Sequence, residues 1–373
     1  MDKGAEKLKN KFGKIIALHG SYFHHNFGDI LLMDILTKWI REYDKNYKVF
    51  LPFAPDDTTK SIGADGNGIS SIFKADALVY GGGGYFGEPP KNQYKWGLRA
   101  IQRHVPPGTL IRLRKKPYAI IGVGAGPVSN PLTKTLYTNI CKNARVISVR
   151  DEESKEFLVE CGLDEKRVIK TSDIVVQLTR KDISEQWFQK VKKDLAVLSQ
   201  PIKFGVHLGR SNFPEKIEII RDEIIDLAKN NSDIGLVLIC DWKGKYPSVL
   251  DEIQNQIPNQ SIIVPYVDHW YLCALLGSLD LVITTKLHVG ITAVALGKFV
   301  ISVPAHTKTP RFYKQIGAQD WCVPLQLVDK ERIRELLFNG LEKVNEEFKI
   351  PQNVIVDAKK NKELLFSFLK NIN

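Results

Sequence analysis

The chain has 373 residues, 43% of them hydrophobic and 25% charged, with a formal net charge of +11. That is ordinary for a globular protein, and the length suits two α/β domains with a core each. Five scattered cysteines (Cys141, Cys161, Cys240, Cys273 and Cys322) form no CxxC pair and have no histidine at ligand spacing. A zinc site is therefore set aside, no metal is assigned, and a reducing compartment, the cytoplasm, is expected.

The elements follow in chain order. Residues 1–13 read as a flexible polar leader without the apolar core of a signal peptide. Lys14–His19 is a strand, and Phe27–Arg41 has helical apolar spacing through Leu31, Leu32, Ile35, Leu36, Trp39 and Ile40. Strands follow at Val49–Leu51, Ala77–Tyr80, Tyr118–Ile121, Val146–Val149 and Val168–Ile169, with a helix over Asp151–Cys161. Ile183–Leu198 is basic and amphipathic and stands at the domain junction. A second series has strands near 202–207, 234–239, 261–264, 281–283 and 299–303. Its helices lie near 214–229, 246–256, 268–277, 287–296 and 329–347, and a last helix runs from Asn361 to Leu369. Short apolar strands alternating with helices imply parallel, doubly wound sheets. The fold class is α/β, two Rossmann-like domains facing a cleft in the GT-B manner. They are placed at 14–185 and 200–347, and the segment 348–373 is set to return to the first.

The richest stretch runs from Thr284 to Val303. An apolar strand gives way to Lys286, Leu287 and His288 as a small-residue helix begins, and the helix stops at Gly297 before another strand. A cation and an imidazole thus stand at a strand's carboxyl end and a helix's amino end, where open α/β folds bind ligands and where anions are favoured. His207 and Arg210 lie at the tip of the strand that opens the second series, with a structural role as the alternative. Lys308 and Arg311 follow the strand after the His288 helix, and a solvated basic face is the plainer account of them.

In the first series, Gly81–Gly84 ends a strand directly. Gly82, Gly83 and Gly84 let a backbone approach a ligand and offer N–H groups to an anion, and Tyr85 offers a ring to stack on a sugar. Asn26, Gly28 and Asp29 open a helix, and lining the cleft competes with capping as their role. Gly122-Val-Gly-Ala-Gly-Pro127, with Gly124 at its centre, approaches a dinucleotide fingerprint. Pro127 stands where the third glycine belongs, so a nicotinamide or flavin dinucleotide is rejected and no cofactor is assigned. Arg150, a cation at a helix start, opposes the dipole, and an anion beside it would relieve the conflict.

In this order, Asn26–Leu31, Gly81–Gly87, Gly122–Pro127, Ser148–Ser154 and Lys286–His288 resemble the polysaccharide pyruvyl transferase family, over roughly His19 to Gly317. The resemblance implies transfer of a carboxyethylidene group from phosphoenolpyruvate to two hydroxyls of a hexose in a polysaccharide precursor. Phosphate is released and a cyclic ketal formed. By matching position it also implies Arg150 and His288 as the catalytic pair. Lys286 stands where the family commonly has arginine, and a lysine lacks the bidentate fork that arginine gives a carboxylate. On this reading phosphoenolpyruvate binds to the second domain and the sugar to the first.

Two rivals stand beside it. A glycosyltransferase using a nucleotide sugar would need an acidic residue on a ribose, with Asp241 and Asp268 the only candidates. A non-catalytic anion-binding scaffold is the other. The charge of +11 points to an acidic partner. No dense basic tract with interleaved aromatics is present, so nucleic acid is set aside. No run of about 20 apolar residues spans a bilayer. A lipid-linked acceptor would bring the protein to the inner face of the membrane, with Ile183–Leu198 as the contact. An ordinary interdomain helix is the favoured reading of that stretch.

Overall fold

The computed structural model describes residues 13–24, 26–89, 92–209, 212–244, 246–305 and 308–372. Most of the expected leader therefore lies outside the described residues. The chain divides into two compact units, one running to Ile174 and resuming at Val356, the other spanning Val175–Ile355.

The first unit carries strands β1 (Ile15–His19), β2 (Lys48–Leu51), β3 (Gly66–Asn67), β4 (Ala77–Gly81), β5 (Tyr118–Val123), β6 (Val146–Val149) and β7 (Val168–Lys170). They form one parallel sheet ordered β3-β2-β1-β4-β5-β6-β7. Helices α1 (Phe27–Tyr43), α2 (Asp56–Ile62), α3 (Ser70–Lys74), α4 (Gln93–Leu113), α5 (Pro131–Asn143) and α6 (Glu152–Glu160) make the crossovers. The core packs Leu78, Tyr80, Ile120 and Val149 against Ile111, Ile140 and Leu158.

The second unit begins with α7 (Glu185–Leu195). Strands β8 (Ile202–His207), β9 (Ile234–Ile239), β10 (Ser261–Val264), β11 (Leu281–Thr284) and β12 (Phe299–Ser302) follow. They alternate with α8 (Pro214–Lys229), α9 (Ser248–Gln256), α10 (His269–Gly277), α11 (Leu287–Ala295), α12 (Lys308–Gln315) and α13 (Lys330–Glu342). The sheet is parallel, ordered β10-β9-β8-β11-β12. Phe204, Leu236, Leu238 and Ile283 pack on Ile220, Ile224 and Leu336. Both sheets reverse their strand order beside the first strand of the unit, which is the ligand-binding edge of a doubly wound fold.

Four departures from the sequence reading have physical causes. The helix α4 runs through Pro106 and Pro107. Where the ladder would join His104 O to Gly108 N, the Tyr80 hydroxyl is inserted: it donates to His104 O (2.8 Å) and accepts from Gly108 N–H (2.6 Å). Helices α2, α3, α5 and α12 and the two-residue β3 are further elements that apolar spacing did not announce. The last helix, α14 (Gln352–Lys370), begins nine residues before Asn361. Its buried stripe of Val354, Ala358, Leu365 and Leu369 includes Asn361, which interrupts the apolar pattern. That amide is satisfied by Ser148 Oγ (2.8 Å), Thr171 Oγ1 (3.0 Å) and Ser172 O (2.9 Å), and it fastens α14 to the first unit. Finally, α7 buries its apolar face of Phe188, Val191 and Leu195 inside the second unit, against α10. Its apolar side is thus covered, while Lys190, Lys192 and Lys193 stay exposed on the other.

Candidate functional site

In the second unit the carboxyl ends of β8, β9 and β11 bring four polar residues together. His207 ends β8 and is paired in register with Thr284, the last residue of β11. The His207 ring is buried. Its Nδ1 lies 3.0 Å from Thr284 Oγ1 and its Nε2 lies 3.3 Å from Asp241 Oδ1. The other Asp241 oxygen is 4.0 Å from Lys286 Nζ. Burial opposes the charge on Asp241, but the charge and hydrogen bond of His207 and the charge of Lys286 outweigh it and hold the carboxyl at about 2. The carboxylate is therefore ionised at neutral pH.

Lys286 occupies the N-cap of α11. It offers no acceptor there, so its side chain caps none of the first-turn amides. Its backbone N–H instead donates to Thr284 Oγ1 (3.0 Å). The side chain is 44% exposed. Leu287 and His288 are the first two residues of α11 and are half-buried. A half-exposed ammonium and an imidazole thus share one helix start, an arrangement suited to an anion and to proton transfer beside it. Gly209 closes the back of this corner. Its N–H donates to Thr285 Oγ1 (2.8 Å), and a β-carbon on it would stand 3.4 Å from Lys286 Cε. Lys308 and Arg311 are half-buried on α12, which reaches α11 where Gly290 leaves room for the Tyr313 hydroxyl. Arg210 lies outside the described residues. His207 is a buried partner of Asp241 and Thr284, a correction to its expected place as a substrate contact.

In the first unit, Asn26 caps α1 by accepting from Gly28 N–H (3.1 Å), so capping accounts for both residues. Asp29 is in the first turn, where a β-carbon on Gly83 would stand 3.2 Å from its Oδ1. Gly82 and Gly83 have φ of +38° and +83°, which favours glycine at both. The two glycine loops run side by side. Gly82 N–H donates to Ile121 O (3.0 Å) and Gly124 N–H to Gly83 O (2.8 Å). The Gly82 amide, expected to face an anion, continues the β4–β5 ladder instead. Gly84 follows and is half-buried.

Two further expectations are corrected. Tyr85 is 4% exposed, its ring stacked 4.6 Å from His104 and its hydroxyl donating to Gly81 O (3.3 Å), so no face is open to a sugar. Arg150 is 5% exposed, with Nη1 3.1 Å from Asp173 Oδ2 and Nε 3.7 Å from Asp151 Oδ2. The anion that relieves its conflict with the helix dipole is supplied by the protein itself, while Asp151 also caps α6 through Ser154 N–H (2.8 Å). Gly124 serves this packing: a β-carbon there would lie 2.9 Å from Arg150 Nε.

Sequence reasoning treated Asp241 only as a ribose ligand for a rival function and overlooked Thr284 and Asp173. Asp241 and Thr284 carry the strand-end signal that marked His207, but which strand ends meet is decided by sheet order. Among the described residues no cluster of three or more His, Cys, Asp or Glu could hold a metal ion.

The two units together define a class: an α/β protein of two Rossmann-like domains with a GT-B-like fold. Solved structures share it over most of their length. The UDP-GlcNAc 2-epimerase of Neisseria meningitidis, bound to UDP-GlcNAc, aligns with a TM-score of 0.66 at 16% identity, covering 96% of this chain and 100% of that one. A putative UDP-N-acetylglucosamine 2-epimerase of Listeria monocytogenes gives 0.69 at 14%, covering 96% and 97%. No curated protein matches the chain in sequence. The family model for polysaccharide pyruvyl transferase matches residues 26–306, and the chain belongs to that family of transferases. No helix among the described residues is long and apolar enough to cross a membrane.

Proposed function

We propose that this transferase moves a carboxyethylidene group from phosphoenolpyruvate onto two hydroxyls of a hexose in a polysaccharide precursor and releases phosphate. The family match over residues 26–306 carries the reading. The start of α11 supports it, because a donor bearing phosphate and carboxylate suits the Lys286 ammonium at a helix N-terminus.

In this reading the methylene carbon of phosphoenolpyruvate is protonated, the adjacent carbon gains oxocarbenium character, and a sugar hydroxyl attacks it and returns a proton. The C–O bond to phosphate then breaks, and the second hydroxyl closes the ketal as its proton leaves with the phosphate. His288 is assigned to proton transfer, since an imidazole can give or take a proton near neutral pH. Lys286 meets the charge of the departing phosphate, with Lys308 and Arg311 the further cations of the same unit. Arg150 is assigned to holding the end of β6 through Asp151 and Asp173, because a guanidinium already between two carboxylates has little charge left for a donor. The acceptor is assigned to the first unit, since the donor is given to the second.

The test is incubation with phosphoenolpyruvate and a panel of galactosides, glucosides and mannosides. Phosphate release together with a product heavier by one carboxyethylidene unit is expected. His288→Ala should lower turnover by about two to four orders of magnitude. Retained turnover would remove His288 from proton transfer. The nucleotide-sugar reading needs a free acid for the ribose. Asp241 is committed to His207, and Asp268 caps α10 by accepting from Trp270 N–H (2.8 Å). Stabilisation by a UDP-sugar but not by phosphoenolpyruvate in a thermal shift would favour that rival.

A further inference from the structure

The polar contacts around Lys286 close into a ring. The Lys286 backbone N–H donates to Thr284 Oγ1 (3.0 Å), and Thr284 Oγ1 lies 3.0 Å from His207 Nδ1. His207 Nε2 lies 3.3 Å from Asp241 Oδ1, and Asp241 Oδ2 is 4.0 Å from Lys286 Nζ. The ring leaves Lys286 at its backbone and returns to it at its ammonium. Lys286 N–H donates to the threonine oxygen, whose own hydroxyl lies 3.4 Å from Lys286 O, and His207 bridges that oxygen and the carboxylate through its two ring nitrogens. Thr284, His207 and Asp241 are buried, whereas the Lys286 side chain is 44% exposed. Water therefore reaches the lysine while the groups that hold it are largely sheltered.

We infer that Thr284, His207 and Asp241 are positioning residues that fix both ends of Lys286, so that its ammonium stands ready at the start of α11 for an anionic substrate. A lysine loses much rotamer freedom when it is fixed, and a free one would lose it on binding. The ring takes that cost in folding. Asp241 draws the ammonium toward β9, and the Thr284 bond sets the backbone from which the side chain springs. No member of the ring other than Lys286 need touch the substrate. The inference rests on the proposed use of Lys286 as the cation for phosphoenolpyruvate, and it deepens that use.

The experiment takes the full chain and its Thr284→Val, Thr284→Ser, Asp241→Asn and Lys286→Gln variants, with calorimetric affinity for phosphoenolpyruvate. Thr284→Val and Asp241→Asn are each expected to weaken binding by about ten-fold, the size of one lost contact to a charged group. Thr284→Ser, which keeps the hydroxyl, should restore it. In the Lys286→Gln background, Thr284→Val should change affinity by less than about two-fold, since the two act as a unit. An equal loss in both backgrounds would overturn the inference, as would unchanged binding in Thr284→Val. A second readout needs no donor. The signal of Lys286, labelled by reductive 13C-methylation, should sharpen when Thr284→Val or Asp241→Asn frees the side chain. An unchanged line in both variants also overturns the ring. Should the wild-type chain fail to bind phosphoenolpyruvate, the proposed function falls while the labelled lysine still decides the ring.

Discussion

The two units use the same strand order, and each places a histidine at the same address: the last residue of its first strand, beside the fourth. His19 is paired in register with Tyr80, and His207 with Thr284. Their surroundings are opposite. His19 is enclosed by Tyr22, Phe53, Tyr80 and Tyr85, with its Nε2 2.9 Å from His104 Nδ1. Burial, and then the neighbouring His104, push its pKa well below the ordinary value. Burial and Arg103 bring His104 to about 3. His207 meets a carboxylate, a hydroxyl and, through them, a lysine open to solvent. The switch point of a doubly wound sheet is thus an address and not yet a site. Aromatic side chains fill the first. Short polar ones leave the second able to hold charge.

The sharpest way to break this comparison is to remove the cation from each unit. Arg150→Ala takes the guanidinium from between two buried carboxylates, Asp151 and Asp173, and should cost about 3–5 kcal/mol of stability. Lys286→Ala should stay within about 0.5 kcal/mol, as is usual for a half-exposed side chain without a buried counterpart left alone in apolar surroundings. Denaturant unfolding followed separately for the two variants decides it, and equal losses would erase the distinction.

Acid sharpens it next. The folded pKa values of His19 and His104 lie below the ordinary 6.5, so the unfolded chain binds more protons once the pH drops beneath that value. Stability should be full above pH 6.5 and fall toward pH 3, by about 1.4 kcal/mol per pH unit for each histidine. Asp241 works in a separate window. Its contribution is present above its ordinary 3.8 and is lost only as the pH falls toward about 2. A His104→Phe variant should therefore be less stable at pH 7 yet flatter between pH 6 and 4, which pH-dependent urea titrations would measure. A slope like the wild type's would show that the pair does not titrate as a buried unit.

The smallest effect probes the packing of the buried cation. Gly124→Ala puts a methyl 2.9 Å from Arg150 Nε and should cost about 1–3 kcal/mol. Gly209→Ala meets Thr285 Oγ1 at 3.1 Å and the flexible Lys286 stem at 3.4 Å and should cost less. Comparing the two melting temperatures tests whether the second corner is indeed the looser one.

Much of this was legible in the chain itself. Apart from β3, the strands of both sheets are short apolar runs, and Lys286 and His288 were marked by the strand-to-helix junction they occupy. Other parts were hidden for definite reasons. The helix α4 contains two prolines and is spliced by a tyrosine from another strand, which no local propensity encodes. Asn361 breaks an apolar stripe because its partners lie about 190 and 213 residues earlier. The glycine loops were recognised as unusual, but glycine marks close approach without naming what approaches. Here it is the neighbouring loop and the Arg150 guanidinium.

What the sequence determined by itself is the alternation of strand and helix, and with it two parallel sheets, because hydrophobic periodicity and helix-start chemistry are local. The tertiary structure alone decided which charges are spent and which remain. Asp151 and Asp173 claim Arg150, His104 and the aromatics claim His19, and Asp241 steadies Lys286 without covering it. Those outcomes depend on strand order and burial. The strength of a charge is set by the distance to its partners and by the water left around it, and neither is written in spacing along the chain.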